Sequence, residues 1–559
     1  MNSPDKKNLA DNQPYNIYEF KKTNQSNISG YLVVSTAKLN VETSLDNSNS
    51  YLSSVANRNF FQINDGEVEP SAQNMIEKIA KSLSSSPESE IIINIHGYSS
   101  TPSDTETGCQ KIYEYVNTHI QQPNKYIFIG YRWPSENPIK KDESGDFGQK
   151  LMNALSSLPT LLAVNLVVGL TISIWSAIIL LLFLNILSNS AVHFLTVMLI
   201  LSGIGSSIIF TLIILRISTY FRDIYRASNY GVTDLVELIR QLDCTVKLPP
   251  KKRIKLSFIS HSMGCFVVTD VIRILSDVFD VKSINKKPDS DIGNVFRLGR
   301  LVLVAADIPV ESILPGRANF LRSSLRRCEE AYIFCNEGDL ALRFTSTAAN
   351  YFSFPARTRI SGYRLGNITV KHFNNKNDLV GYTPRYGVVN LHRQDSEKGY
   401  RLDNPYKYLE IRSSNREHRR LEEITEISED SVQPADLFTY FDCTDYKDDP
   451  RKQIGIVSDA IQKPAINLGN YIFLTWAFIR KSINNRDAQG VDTHTGYFEG
   501  DFSQKAIYEL AFLGFQGFLR SLSIEGEESE QIHAFSQRCQ SRQIQVILAP
   551  QIYQQNPQD

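Results

Sequence analysis

Apolar positions recur along the chain with two periods, and their alternation predicts the fold. Apolar-rich runs at 91–95, 126–131, 254–259, 301–306 and 331–335 have the length and the bounding turns of buried strands. Between them, spacings of three and four put Met75, Ile76, Ile79, Ala80 and Leu83 on one helical face. The same spacing predicts helices at 105–120, 224–242, 266–275 and 503–522. Shorter strands are expected at 31–35, 60–63 and 365–373, and an edge strand at 544–548. Strands alternating with helices predict an α/β fold with a doubly wound, mainly parallel sheet.

Two regions break this rhythm. Between Lys150 and Arg216 the chain holds no Asp, Glu, Lys or Arg. Within that tract, 158–187 and 192–215 each exceed the roughly 20 apolar residues that a bilayer crossing needs, and Ser188, Asn189 and Ser190 supply a turn. The pattern predicts a transmembrane helical hairpin over 151–217. A buried hairpin or apolar lid is the alternative, but a soluble helix keeps a polar face, and from Trp175 to Leu187 only Ser176 and Asn185 are polar. Lys140, Lys141 and Lys150 precede the hairpin, Arg216, Arg222 and Arg226 follow it, and its tip is uncharged. The positive-inside rule then places both flanks and the folded bulk in the cytoplasm. The second region, 375–490, is charged and loop-rich, with one short apolar helical pattern at 471–479. It reads as an insertion or subdomain. The parts are thus a polar segment at 1–30, one domain in two pieces (31–150 and 218–374), the hairpin between them, the insertion, and a closing segment at 491–559.

Composition narrows the function. A net charge of −1 does not point to nucleic acid. No Gly-rich phosphate loop ending in Lys-Ser or Lys-Thr is present. The seven cysteines are scattered and lack metal-type spacing, as expected of reduced thiols in a cytosolic compartment. Residues 1–15 are polar and do not have the character of a secretory signal.

The candidate chemistry lies at 256–264, Leu-Ser-Phe-Ile-Ser-His-Ser-Met-Gly. A strand pattern stops there and a helix pattern starts at once. A strand turning sharply into a helix through small-x-Ser-x-Gly is a nucleophile elbow, which presents Ser262. Its usual first glycine is replaced by Ser260, which is still small. A serine needs a histidine to take its proton and an acid to fix the histidine tautomer. Asp339, in a turn after the 331–335 strand, is the favoured acid, with Asp307 as its rival. His494, in a loop with Gly496 before the closing helix, is the favoured base. His372 reads as a sheet histidine, while His392, His418 and His533 lie in polar segments. His261 points into the elbow turn, which favours packing. The oxyanion hole needs two donors, assigned to the backbone N–H groups of Met263 and Tyr98, with Gly97 allowing close approach.

Taken together, Ile93-Asn94-Ile95-His96-Gly97-Tyr98, the turn Tyr131-Arg132-Trp133-Pro134-Ser135, the Ser262 elbow, the Asp339-Leu340-Ala341-Leu342 turn and the His494 loop resemble the α/β-hydrolases. They are most similar to a bacterial branch of esterase-like serine hydrolases, over 91–373 and the segment around His494. The resemblance implies an α/β-hydrolase fold and a Ser-Asp-His triad working without metal or organic cofactor. The expected activity is that of a membrane-anchored esterase or lipase acting on an acyl ester or lipid. The alternatives are an inactive hydrolase fold serving as a membrane scaffold, and a thioesterase or peptidase with the same triad. The hairpin departs from the carboxyl end of the 126–131 strand, the end at which open α/β sheets bind ligands. It is therefore expected on the active-site face, either feeding substrate from the bilayer or acting as a simple tether.

Overall fold

The computed structural model describes residues 14–22, 27–37, 54–63, 71–85, 88–120, 122, 125–135, 218–250, 252–276, 290–313, 324–339, 341–342, 363–370, 386–393, 400–412, 418–421, 433–449, 454–455 and 493–552. The chain divides into two units, 1–135 with 226–559, and 136–225. Of the second, only the helical residues 218–225 are described, with Phe221 and Tyr225 exposed. The hairpin expected at 151–217 and the helix expected at 471–479 lie outside the described residues. Among the described residues no helix is long and apolar enough to cross a membrane.

The first unit is built on one sheet. Its strands are β1 (Tyr15–Glu19), β2 (Ser29–Ser35), β3 (Glu90–Ile95), β4 (Tyr126–Arg132), β5 (Ile254–His261), β6 (Phe296–Val304), β7 (Glu330–Cys335), β8 (Gly387–Val388), β9 (Thr439–Asp442) and β10 (Gln545–Ile547). They lie in the order β1-β2-β4-β3-β5-β6-β7-β9-β10-β8, with the short Asp291–Ile292 pairing beside β6. From β2 to β9 every neighbour is parallel. Only β1 against β2, Asp291–Ile292 against β6, and β10 against β9 are antiparallel. The architecture is mixed α/β with a mostly parallel central sheet.

Strand alternation shows that helices cover both faces. Gly130 and Tyr131 are consecutive in β4, so their side-chain positions point to opposite faces. A Cβ at Gly130 would meet Cys109 Sγ of α2 (Pro102–His119) at 2.5 Å, so only glycine lets that helix lie so close. On the other face, the Tyr131 hydroxyl donates to Gly231 O (2.8 Å), just before α3 (Val232–Thr245). α1 (Ala72–Ser85) and α4 (Met263–Leu275) pack on α3. On the α2 face, α5 (Asp501–Ser521) sets Phe512 against Tyr126 and Tyr508 against Tyr115. Phe535 of α6 (Glu528–Gln540) packs against Phe515. The apolar stripe predicted over 71–83 is the buried face of α1. α2 starts where Thr101 accepts the N–H of Asp104 and Pro102 fills the first turn.

α5 is broken at Gly514, whose φ of 71° and ψ of −179° are open to glycine and costly for other residues. The break frees backbone groups that need partners. Arg300 Nε donates to Ala511 O (2.8 Å) and its Nη2 to Phe512 O (2.9 Å), while Phe515 N donates to Glu330 Oε2 (3.1 Å). Arg300 is itself paired with buried Glu90.

Several expectations are corrected. The polar segment 1–30 contains β1, whose Tyr15, Ile17 and Tyr18 are buried. The strand expected at 60–63 is a 3₁₀ turn, Arg58–Phe60, followed by a single bridge from Phe61 to Phe20. At 365–373 a 3₁₀ turn (Leu365–Asn367) leads into the two-residue strand Thr369–Val370, which pairs with Leu409–Arg412 outside the central sheet. The region 375–490 is not a simple insertion, because it supplies β8 and β9 to the central sheet. β10 lies between these two rather than at an edge. The helix expected from 224 is interrupted by a π-helical turn, Ala227–Gly231, before α3.

Candidate active site

The chain leaves β3 for β4 on one side of the sheet and leaves β5 for β6 on the other. The direction of connection thus reverses between β3 and β5, and the carboxyl ends of strands at such a reversal are where these sheets bind ligands. Ser262 sits there. Apolar β5 ends at His261, Ser262 takes φ 55° and ψ −123°, and α4 begins at Met263. A positive φ at a non-glycine residue costs about 1–3 kcal/mol. It persists because the end of β6 grips the turn: Ser262 N donates to Val304 O (2.9 Å), and Asp307 N donates to Ser262 O (3.2 Å).

The small positions of the elbow have physical reasons. A Cβ at Gly264 would lie 2.5 Å from His96 O and 2.6 Å from Ile95 O, so the helix can start this close to β3 only without a side chain. Ser260, standing in the first glycine position, is fully buried and its hydroxyl donates to Val302 O (3.4 Å). The substitution is thus absorbed within the sheet. Ser262 Oγ is 0 % exposed at the residue level and has no hydrogen-bond partner among the described residues. A buried hydroxyl in that state is uncommon and calls for an explanation.

The two residues expected as acid and base are in contact. His494 Nδ1 lies 2.7 Å from Asp339 Oδ2. With Nδ1–H donating to the carboxylate, Nε2 carries the unprotonated lone pair, the form a general base needs. Asp339 is wholly buried and its Oδ1 accepts Leu342 N (3.1 Å), while the His494 side chain is 16 % exposed. The acid turn is shaped by Asn336, whose Oδ1 accepts Gly338 N (2.9 Å) and whose O accepts Asp339 N (3.2 Å). Asn336 Nδ2 also reaches across to donate to Thr493 O (3.1 Å). His494 is brought beside the elbow, its ring centroid 4.7 Å from that of His261, the residue preceding Ser262. The Ser262–His494 hydrogen bond itself is not formed. Before substrate arrives such bonds are often long.

The carboxylate of Asp307 is paired with buried Arg364 (3.0 Å), and its backbone N–H holds the elbow. His392 and His418 lie on short strands outside the central sheet, Leu391–Arg393 and His418–Arg420. His533 is exposed on α6, and His372 lies outside the described residues. His261, expected to be a packing residue, turns out to donate from Nε2 to His494 O (3.0 Å). A carbonyl can only accept, which fixes the proton on Nε2. No periodic signal in the sequence marks this contact, nor that of Asn336.

The loop after β3 closes over Ser262. A Cβ at Gly97 would sit 2.9 Å from Ser262 Cβ, so this loop too requires glycine. Tyr98 follows it and is buried. Met263 opens α4, where its N–H has no intrahelical acceptor. His96 props the loop from behind. It stacks on Trp133 at 5.0 Å with the planes within 6°, and accepts Trp133 Nε1–H at its carbonyl (3.0 Å). Burial pushes the His96 imidazole from 6.5 down to about 4. The ring is therefore neutral at pH 7, although Nδ1 and Nε2 both face carbonyls, those of Gly97 (2.7 Å) and Trp133 (3.2 Å). A neutral ring donates to only one of them. Among the described residues no group of three or more His, Cys, Asp or Glu is arranged to hold a metal ion.

Compared with protein-family models, curated proteins and solved structures, the chain matches none.

Proposed function

We propose that this protein is a serine hydrolase of the doubly wound α/β-hydrolase type, cleaving acyl esters by a Ser262–His494–Asp339 triad. The observation that carries the reading is the 2.7 Å His494–Asp339 contact beside a strained, buried and unpartnered serine hydroxyl. In the reaction, His494 Nε2 takes the Ser262 proton as Oγ bonds to the acyl carbon. The oxyanion gathers the N–H groups of Met263 and Tyr98. The proton passes to the leaving alcohol as the ester C–O bond breaks, leaving an acyl-enzyme. Water, deprotonated by the same nitrogen, then releases the acid.

Membrane attachment is part of the proposal and rests on sequence: the tract from Leu151 to Leu215 has no Asp, Glu, Lys or Arg and is flanked by basic residues on both sides. Its departure from the carboxyl end of β4, the side that carries Ser262, favours an acyl-ester or lipid substrate drawn from the bilayer. Both flanks and the catalytic unit are then cytoplasmic. A fluorophosphonate probe on detergent-solubilised full chain tests the chemistry, with labelling expected in the wild type and absent in Ser262→Ala. Higher turnover of phospholipid or acylglycerol than of short soluble esters is expected, and the reverse order removes the lipid substrate from the proposal. A second reading, an idle hydrolase fold used as a membrane scaffold, draws on the open Ser262–His494 contact. An unlabelled wild type selects it.

A further inference from the structure

We propose that His261 is a positioning residue for the base, setting the approach of His494 to Ser262. The inference rests on the triad reading above and extends it to a residue that the triad does not include. Asp339 holds the His494 ring at Nδ1, and Asn336 holds the preceding carbonyl of Thr493. Both of these residues lie in the turn after β7, so both register the base against the acid. The third contact comes from another element. His261 Nε2 donates to His494 O at 3.0 Å, and His261 is bonded directly to Ser262. Through it the loop carrying the base is registered against the nucleophile. The ring is fixed on its other sides as well: Phe498, four residues beyond the base, meets it edge-on at 5.4 Å. The position a Gly97 Cβ would take lies 3.1 Å from its Nδ1. One imidazole therefore touches the base loop, the elbow and the loop that covers the serine. Losing its N–H frees the base loop on the side facing Ser262 and leaves the acid–base contact in place.

The test compares His261→Phe, which keeps a ring against Phe498 and His494 but has no donor, with His261→Gln, whose amide can donate at similar reach. Full-length protein in detergent is assayed with a p-nitrophenyl ester and with the fluorophosphonate probe. The expected result is a fall in kcat and in probe labelling rate of about 10–100-fold for His261→Phe, the scale of a misplaced catalytic group. KM should change less than about threefold, and His261→Gln should recover most of the rate. Should His261→Phe not fold, His261→Leu takes its place. Wild-type kcat in the donor-less variant overturns the proposal, as does an equal fall in both variants. Those outcomes leave the triad intact, provided that wild type labels and Ser262→Ala does not. An unlabelled wild type overturns the triad and this inference with it.

Discussion

Ser262 is delivered by consecutive residues: an apolar strand, a turn that admits only small neighbours, and the helix that follows. His494 reaches the same corner from the far end of the chain, and Asp339 and His261, which hold it, are 155 and 233 positions away. The elbow takes its shape from backbone sterics, because Gly264 and Gly97 leave no room for a Cβ. The base loop takes its shape from polar contacts that side chains on two other elements provide. A site assembled in this way has a serine that local sequence positions and a histidine that tertiary structure positions.

The two halves should therefore fail differently. The largest effect is expected at the junction: His494→Ala should lower ester turnover by about 10⁶-fold and Asp339→Asn by about 10⁴-fold, because the base or its tautomer is lost while the elbow stands. Steady-state kinetics on protein with a wild-type melting midpoint check this. Asp307→Ala sharpens the contrast. It removes one carboxylate from a buried ion pair with Arg364 and should cost about 3–5 kcal/mol of stability, while Ser262 in the folded fraction still labels. Loss of labelling at retained stability would instead make Asp307 the acid.

The next effect is pH-dependent and belongs to the loop over the elbow. The unfolded chain protonates His96 near 6.5, whereas the folded chain resists until about 4. His96 thus contributes its full stability above pH 6.5, loses it as pH falls from 6.5 towards 4, and changes nothing further below that. The lost part is about 3 kcal/mol. Urea midpoints measured across that window should slope less in His96→Gln than in wild type. The smallest effect tests the elbow alone. Gly264→Ala pushes a methyl into two backbone carbonyls and should destabilise by about 1–3 kcal/mol, read from the same urea titrations.

This contrast also explains what the sequence revealed. The strands β3, β5, β6 and β7 are legible because burial on both faces demands segments rich in apolar residues. β1 is not, since Tyr-Asn-Ile-Tyr-Glu mixes polar and apolar residues and its burial depends on pairing with β2. β9 hides in a charged region as four residues, Thr-Tyr-Phe-Asp, too few to show a period. The strand expected at 365–373 shows the converse, an apolar stretch that a 3₁₀ turn claims first. Within the site, the sharp turn at Ser262 and the Asp339–His494 contact are legible from chain order and turn context. His261 and Asn336 act through single hydrogen bonds to a distant loop, which leave no pattern along the chain.

The break in α5 has a bearing on that loop. A helix interrupted by glycine would ordinarily be a joint about which its two halves swing. Here a guanidinium and a carboxylate suture the two sides of the gap to the floor of the sheet, so the joint is welded. The segment running up from it ends directly at the histidine loop, and the imidazole thereby stands on a pillar whose foot is at the opposite end of the strands.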